Sequence, residues 1–261
     1  MQNSGKILRV AFFLFLSFCA VGAVKAGSVK TNKNGDCYLL VPGVGKEEQS
    51  YSVTDCIERL QKYYNMNINK NVLDQVADDS KLKGRFEYIE KALKNAAVKC
   101  GFRVKEILKY MPLIKDVRIM ELIRKYNEYA KKAGKNEINI ADLSSYNQMI
   151  RMTDGDIMAR VKVEHDPKGF KKFKADVKET IDQGTPVLWG VMLGLLESPE
   201  STQKIGGQLC IIIGYNSQKN EVIYSDSLRE GYEFKKISWE RAWAMTSMAY
   251  ALTPSQTARK P

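Results

Sequence analysis

A chain of 261 residues with 44% hydrophobic and 27% charged side chains can bury a real core, and its length allows one large domain or at most two small ones. Its 41 Lys and Arg outweigh 30 Asp and Glu, giving a net charge of +11, a balance that invites nucleic acid or an anionic surface as partner. The basic residues are spread along the chain and interleaved with acids, without a basic block, so they read as a solvated lysine-rich surface and no nucleic-acid partner is expected.

Residues 1–26 have the pattern of an export signal. Lys6 and Arg9 form a positive start, residues 10–24 are apolar, and Val24-Lys25-Ala26 offers a small-residue cleavage site. The apolar run is shorter than the roughly 18 residues a spanning helix needs, so no transmembrane segment is expected in the mature chain. Cys19 is ordinary filler of the apolar run, because Phe18 stands where a lipoprotein signal wants a small residue. The mature protein is expected to begin near Gly27 and to be periplasmic or secreted.

Four cysteines survive removal of the signal: Cys37, Cys56, Cys100 and Cys210. An oxidising compartment permits disulfides among them, and three pairings are open. Cys56, Cys100 and Cys210 fall on apolar faces, which suits buried thiols equally well. None of the spacings suggests a metal site, and neither metal nor cofactor is expected.

Residues 37–42 read as a short strand ended by Pro42. A helix follows over 52–64, with Val53, Cys56, Ile57, Leu60 and Tyr64 at three- and four-residue spacing and Asp55, Glu58 and Arg59 facing elsewhere. Ser52 is placed to cap it. A second helix over 85–100 is stopped by Gly101. The middle of the chain, 115–162, is lysine-rich and helical, with Val117, Met120, Ile123, Tyr126 and Ala130 as one apolar stripe ended by Gly134. Shorter helices are expected at 141–150 and 154–160. Asp154-Gly155-Asp156 lacks the rest of a calcium-loop pattern and reads as a turn with a helix cap. A helix over 168–183 buries Phe170, Phe173, Val177 and Ile181 and stops at Gly184.

Strands then take over, at 186–193, 206–216, 221–227, 232–235 and 247–252, with a short helix at 239–246. Helices first and antiparallel strands afterwards predict an α+β domain in which a helical N-terminal part packs on a C-terminal antiparallel sheet. The expected plan is one domain over 27–254, with a helical insertion at about 105–172 and a polar tail over 255–261.

The stretch that carries most information is Gly206-Gly207-Gln208-Leu209-Cys210-Ile211-Ile212-Ile213-Gly214-Tyr215-Asn216. Its β-branched apolar run, closed by a polar turn over 217–220 and followed by Glu221-Val222-Ile223-Tyr224-Ser225-Asp226, predicts an antiparallel hairpin at the centre of a sheet. This hairpin resembles the core of the papain-like cysteine peptidases of the bacteriocin-processing kind, peptidase family C thirty-nine and its wider like-group. Tyr51, Glu58-Arg59 and Tyr63-Tyr64 are similar to that group's nucleophile helix. Residues 187–194 look like its central strand, and Glu233-Phe234-Lys235 with the Trp239 helix like its closing elements.

The resemblance implies a four-part site. A cysteine at a helix start attacks, its thiolate favoured by the helix dipole. A histidine opening the central strand is the base, an Asp on the next strand orients it, and a glutamine ahead of the cysteine donates to the oxyanion. Here Ser52 stands at the cysteine position and Gln208 at the histidine position. Lys46 falls at the glutamine position by ungapped spacing, with Gln49 the alternative, and Asp226 alone is kept. The Trp-Gly that follows Asp-Ser in the family is replaced by Leu228-Arg229.

A serine without a base is a poor nucleophile, and Gln208 has no proton affinity near neutrality. Loss of base assistance alone costs about a hundred- to ten-thousand-fold. The single histidine, His165, lies in a charged segment before a helix and reads as a surface loop residue. A Ser52–Lys46 dyad is the one rescue, but Glu47-Glu48 would hold Lys46 charged. The expectation is a peptidase fold without peptidase chemistry, binding a peptide or protein segment in the former cleft. The alternatives are a hydrolase using Ser52, and an envelope-associated protein that contacts anionic polymers. The oligomeric state is left open.

Overall fold

The structure is a computed structural model and describes residues 27–43, 52–67, 71–72, 75, 86–109, 117–139, 153–192, 207–226 and 234–255. The export signal, Lys46, Gln49, Tyr51, Leu228, Arg229, the 141–150 helix and the end of the tail lie outside them. Among the described residues six helices and eight strands form a mixed α+β fold. The helices are α1 (Ser52–Tyr63), α2 (Phe86–Lys99), α3 (Val117–Lys132), α4 (Gly155–His165), α5 (Pro167–Asp182) and α6 (Trp239–Met245). The strands are β1 (Lys30–Thr31), β2 (Asp36–Tyr38), β3 (Phe102–Leu108), β4 (Val187–Met192), β5 (Gly207–Asn216), β6 (Glu221–Asp226), β7 (Lys235–Ser238) and β8 (Thr246–Pro254).

All eight strands join one antiparallel sheet built around β5. On one side of β5, β4 pairs with residues 207–212 and β2 takes over at 214–216; β6 lies along the other side. β8 pairs with β4, and β3 with β8, while β7 lies outside β6. Gly214 makes the handover possible. A Cβ there would stand 2.2 Å from the Cys37 carbonyl oxygen, so only glycine lets β2 come this close.

Both faces of the sheet are covered. Val53, Cys56, Ile57 and Leu60 of α1 and Leu93, Ala96 and Ala97 of α2 pack on Leu188, Leu209, Ile211, Ile213 and Tyr250. On the other face, residues of α3 to α6 pack on Val187, Trp189, Val191, Cys210 and Ile212. This explains why residues 209–213 are apolar without alternation: successive side chains enter two different cores. The fold class is the expected one, but the helices are not confined to one side. The N-terminal half also contributes three strands, β3 among them, so residues 105–108 are strand. β3 alternates buried Phe102 with exposed Arg103 and Lys105 at the sheet's edge, where charge discourages pairing with another chain.

Local chemistry sets the helix ends. Asp154 Oδ1 accepts from the amides of Asp156 and Ile157, so the Asp154-Gly155-Asp156 segment is the expected cap. Asp166 caps α5, with Pro167 at its first turn. Gly101, Gly134 and Gly184, the expected stops, all have positive φ. At the end of α6 the Lys162 ammonium donates to the carbonyls of Trp243 (2.9 Å), Ala244 (3.1 Å) and Thr246 (3.4 Å). A cation there complements the helix dipole and joins α4 to α6.

Candidate functional site

α1 begins at Ser52 and lies against β5. One turn in, Cys56 Sγ is 3.7 Å from the Leu209 carbonyl oxygen, a long thiol contact between helix and strand. The residue before Leu209 is Gln208, second in β5, opposite Val191 of β4. Cys210 pairs with Asp226, the last residue of β6. Side chains alternate along a strand, so Gln208 and Cys210 share one face of β5, and Asp226 holds the β6 register position opposite Cys210, diagonal to that of Gln208. The register therefore brings the Gln208 and Asp226 positions together at one end of the sheet, whereas α1 packs on the opposite face, against Leu209, Ile211 and Ile213, so the fold places the Ser52 helix and the Gln208 position on different faces of β5. Lys46 falls outside the described residues.

Gln208 is only 7% exposed, and its buried Nε2 has no acceptor among the described residues. Its amide neither takes nor releases a proton, so at this position the site has a fixed donor and acceptor in place of a base.

Arg59 was expected to face away from the core, and Asp55 with it; both are buried, Arg59 at 2% exposure. α1 is enclosed around most of its girth, so its polar stripe meets protein where solvent was expected. Arg59 Nε donates to the Pro42 carbonyl oxygen at 2.9 Å and Nη2 to Ser225 Oγ at 2.7 Å. One side chain thus links the segment leading to α1, α1 itself and the strand position next to Asp226. Sequence periodicity gave no sign of this, since an arginine beside Glu58 reads as surface.

The hairpin's closing Tyr215-Asn216 is also structural. Tyr215 Oη donates to Asp182 Oδ1 at 2.6 Å, and Asn216 Nδ2 donates to the Asn34 carbonyl oxygen and to Asp36 Oδ1, both at 2.8 Å. His165 is the last residue of α4 and half-buried. It is a helix-terminal residue, not a loop one. Cys37, Cys56, Cys100 and Cys210 are thiols with no disulfide among them, which resolves the open pairings. Burial pushes the Cys100 thiol up to about 11, so it is not a thiolate at neutral pH.

A helix packed against the central strand of an antiparallel sheet, with the Gln208 and Asp226 positions diagonal to each other at the start of that strand, defines a papain-like fold of the cysteine-peptidase class. A family model described as the Peptidase_C39 like family matches residues 104–250, more than half of the chain, and the chain belongs to that family. The match contains Gln208, Asp226 and all of β4 to β7; Ser52 and Lys46 precede it. No curated protein matches the chain. Among the described residues there is no cluster of side chains suited to a metal ion, and no helix is long and apolar enough to cross a membrane.

Proposed function

We propose that this chain is an exported pseudopeptidase that holds a peptide or protein segment in the former substrate cleft without cutting it. The observation that carries the reading is Gln208, a non-ionising amide buried at the strand position where the family places its base. Ser52 at the nucleophile position supports it, since a hydroxyl needs a base that Gln208 does not supply. The proposed plan is a signal over 1–26 and one domain over 27–254, with its helical middle at about 105–172 and a tail over 255–261. The sheet membership of β1 at Lys30 and of β8 up to Pro254 supports those outer limits.

The test is mass-spectrometric cleavage profiling of the mature protein on a diverse peptide library, with Ser52→Ala alongside. No cleavage by either protein is the expected result. Cleavage by the native chain that Ser52→Ala abolishes would overturn the reading and make Lys46 the next residue to change. Salt-sensitive retention on anionic matrices, without saturable peptide binding, would instead favour an envelope protein that contacts anionic polymers.

A further inference from the structure

The exposed side of α5 carries a feature that the peptide-binding reading does not use. Lys171, Lys174 and Lys178 recur at three- and four-residue spacing and form one column over two helical turns, about 10.5 Å. Together with Ala175, Glu179, Asp182 and Gln183 they line a shallow groove of about 660 Å³, a volume typical of small-molecule sites. Among the described residues none of the three ammoniums is paired with a carboxylate, whereas Lys172 on the neighbouring face takes Asp176. Lys178 donates to Ser217 Oγ at 2.9 Å and lies over the Tyr215 ring. Lys174 donates to Asn220 Oδ1 and lies over the Trp239 ring. Asn220 is fixed from behind, because its Nδ2 donates to both Glu240 carboxylate oxygens. Neutral oxygens and aromatic faces therefore hold these ammoniums in place, while donor capacity and charge remain for a ligand.

At the other end of the groove Tyr215 Oη donates to Asp182 Oδ1, and Gln183 Nε2 to Glu179 Oε1. These bonds orient both carboxylates and leave each a second oxygen. We propose that the groove binds an acidic saccharide, with an anionic sugar unit on Lys171, Lys174 and Lys178 and the hydroxyls of adjoining neutral units on Glu179, Asp182 and Gln183. Ammoniums without a carboxylate take an oxyanion, and carboxylates and a side-chain amide accept from hydroxyls. The competing classes fit less well. A nucleic acid brings a phosphate at every step, which the two carboxylates repel. Tyr215 and Trp239 are buried beneath their lysines, where no base can stack. No large apolar side chain of α5 is exposed to enter a bilayer. A peptide finds no backbone partners on a helix whose own N–H and C=O groups are paired internally.

The test is calorimetric titration of the mature protein with two acidic sugars, an aldotriouronic acid and sialyllactose. Xylotriose, inorganic phosphate, a thymidine decanucleotide and a capped Asp-Asp-Lys-Lys peptide are the comparison ligands. Saturable binding of an acidic sugar, tighter than that of all four, is the expected result. Lys174→Gln and Lys178→Gln, each checked for native thermal unfolding, should weaken it about tenfold or more, the size of one hydrogen bond to a charged donor. Lys171→Gln should do the same and stands in for either variant that fails to fold. Lys172→Gln should leave the affinity unchanged, and Glu179→Ala should lower the preference for the sugar over phosphate. No binding of either acidic sugar would overturn the proposal. So would equal affinity for xylotriose, which needs no lysine, or for phosphate, which needs no hydroxyl acceptor. Tighter binding of the oligonucleotide or the peptide would hand the groove to that class instead. An equal loss in Lys172→Gln would mean diffuse charge in place of a site. The cleft and Ser52 take no part, so peptide binding there stands or falls separately.

Discussion

Arg59 Nη2 donates to Ser225 Oγ across 2.7 Å, joining the middle of α1 to the strand position beside Asp226. The same guanidinium holds the Pro42 carbonyl oxygen, and its buried Nη1 has no acceptor among the described residues. Both acceptors are neutral, so the side chain is a spacer of fixed shape between three segments as much as a charge.

Removing it should be expensive in stability. Arg59→Ala leaves the Pro42 carbonyl and the Ser225 hydroxyl unmet and opens a void under α1, an expected loss of about 3 kcal/mol. Ser225→Ala should cost less, about 1.5 kcal/mol for one hydrogen bond to a charged donor. Arg59→Lys should not rescue the alanine variant fully, because one ammonium cannot reproduce the fork. Urea denaturation of the single and double variants measures these values. A coupling energy near zero between Arg59 and Ser225 would show that the bond carries no stability.

Acid should act on the attachment of the N-terminal hairpin. Burial works to raise the Asp36 carboxyl, but the Lys236 ammonium and the amides of Asn216 and Asn32 outweigh it and hold the group at about 2. The unfolded carboxyl titrates near 3.8. The stabilisation, about 2 kcal/mol by linkage, is complete above that value and is lost as pH falls through about 2. The measurement is stability against pH between 5 and 1.5, in which Asp36→Asn should flatten this part of the curve.

Gly214→Ala should be among the most damaging small changes in the chain. The added carbon would sit 2.2 Å from the Cys37 carbonyl oxygen and 2.8 Å from Tyr38 Cα, both backbone atoms that cannot turn aside. Either β2 leaves β5 or the strand shifts, at an expected cost of about 3 kcal/mol. Hydrogen exchange should show the loss concentrated in the amides of β2 and in Leu39, whose N–H donates to the Ile213 carbonyl. Uniform loss over the whole sheet would contradict a local handover.

Much of this architecture was legible because it rests on local signals. The amphipathic pattern of α1, the β5–β6 hairpin and the short α6 capped by Ser238 ahead of β8 follow from periodicity, β-branching, turn chemistry and capping that act over a few residues. β3 was missed because Phe102–Leu108 carries three charges in seven residues; only its place at the sheet's edge makes that acceptable. Arg59 and Asp55 were misread because helical periodicity reports one buried face, and α1 has more than one. At the candidate site the sequence named Gln208 and Asp226 by likeness to a family. Their diagonal placement follows from the register of β5 on β6, which no single strand encodes.

Alkali gives the sharpest test of how the helical layer is built. Burial draws the Lys162 ammonium down to about 8, with Asp166 opposing, although three carbonyls surround the charge. Between about 8 and 10.5 the native protein has released a proton that the unfolded chain still holds, so stability should rise with pH in that window. The three carbonyls solvate the ammonium, and the gain should stay below the roughly 3 kcal/mol that burial alone implies. Above 10 the sign reverses. Burial raises Tyr63 to about 12, and raises Tyr64 and Tyr215 as well, so the unfolded chain releases those phenolic protons first and stability falls. The buried Cys100 thiol, raised from 9 to about 11, opposes the gain from pH 9 upwards, so urea midpoints measured from pH 7 to 11 should rise between 8 and 9, level off, and fall above 10. Lys162→Met should remove the rising limb and keep the falling one. A falling curve from pH 8 onwards in the native protein would mean that the carbonyl cage holds Lys162 charged throughout, as a plain cap of α6.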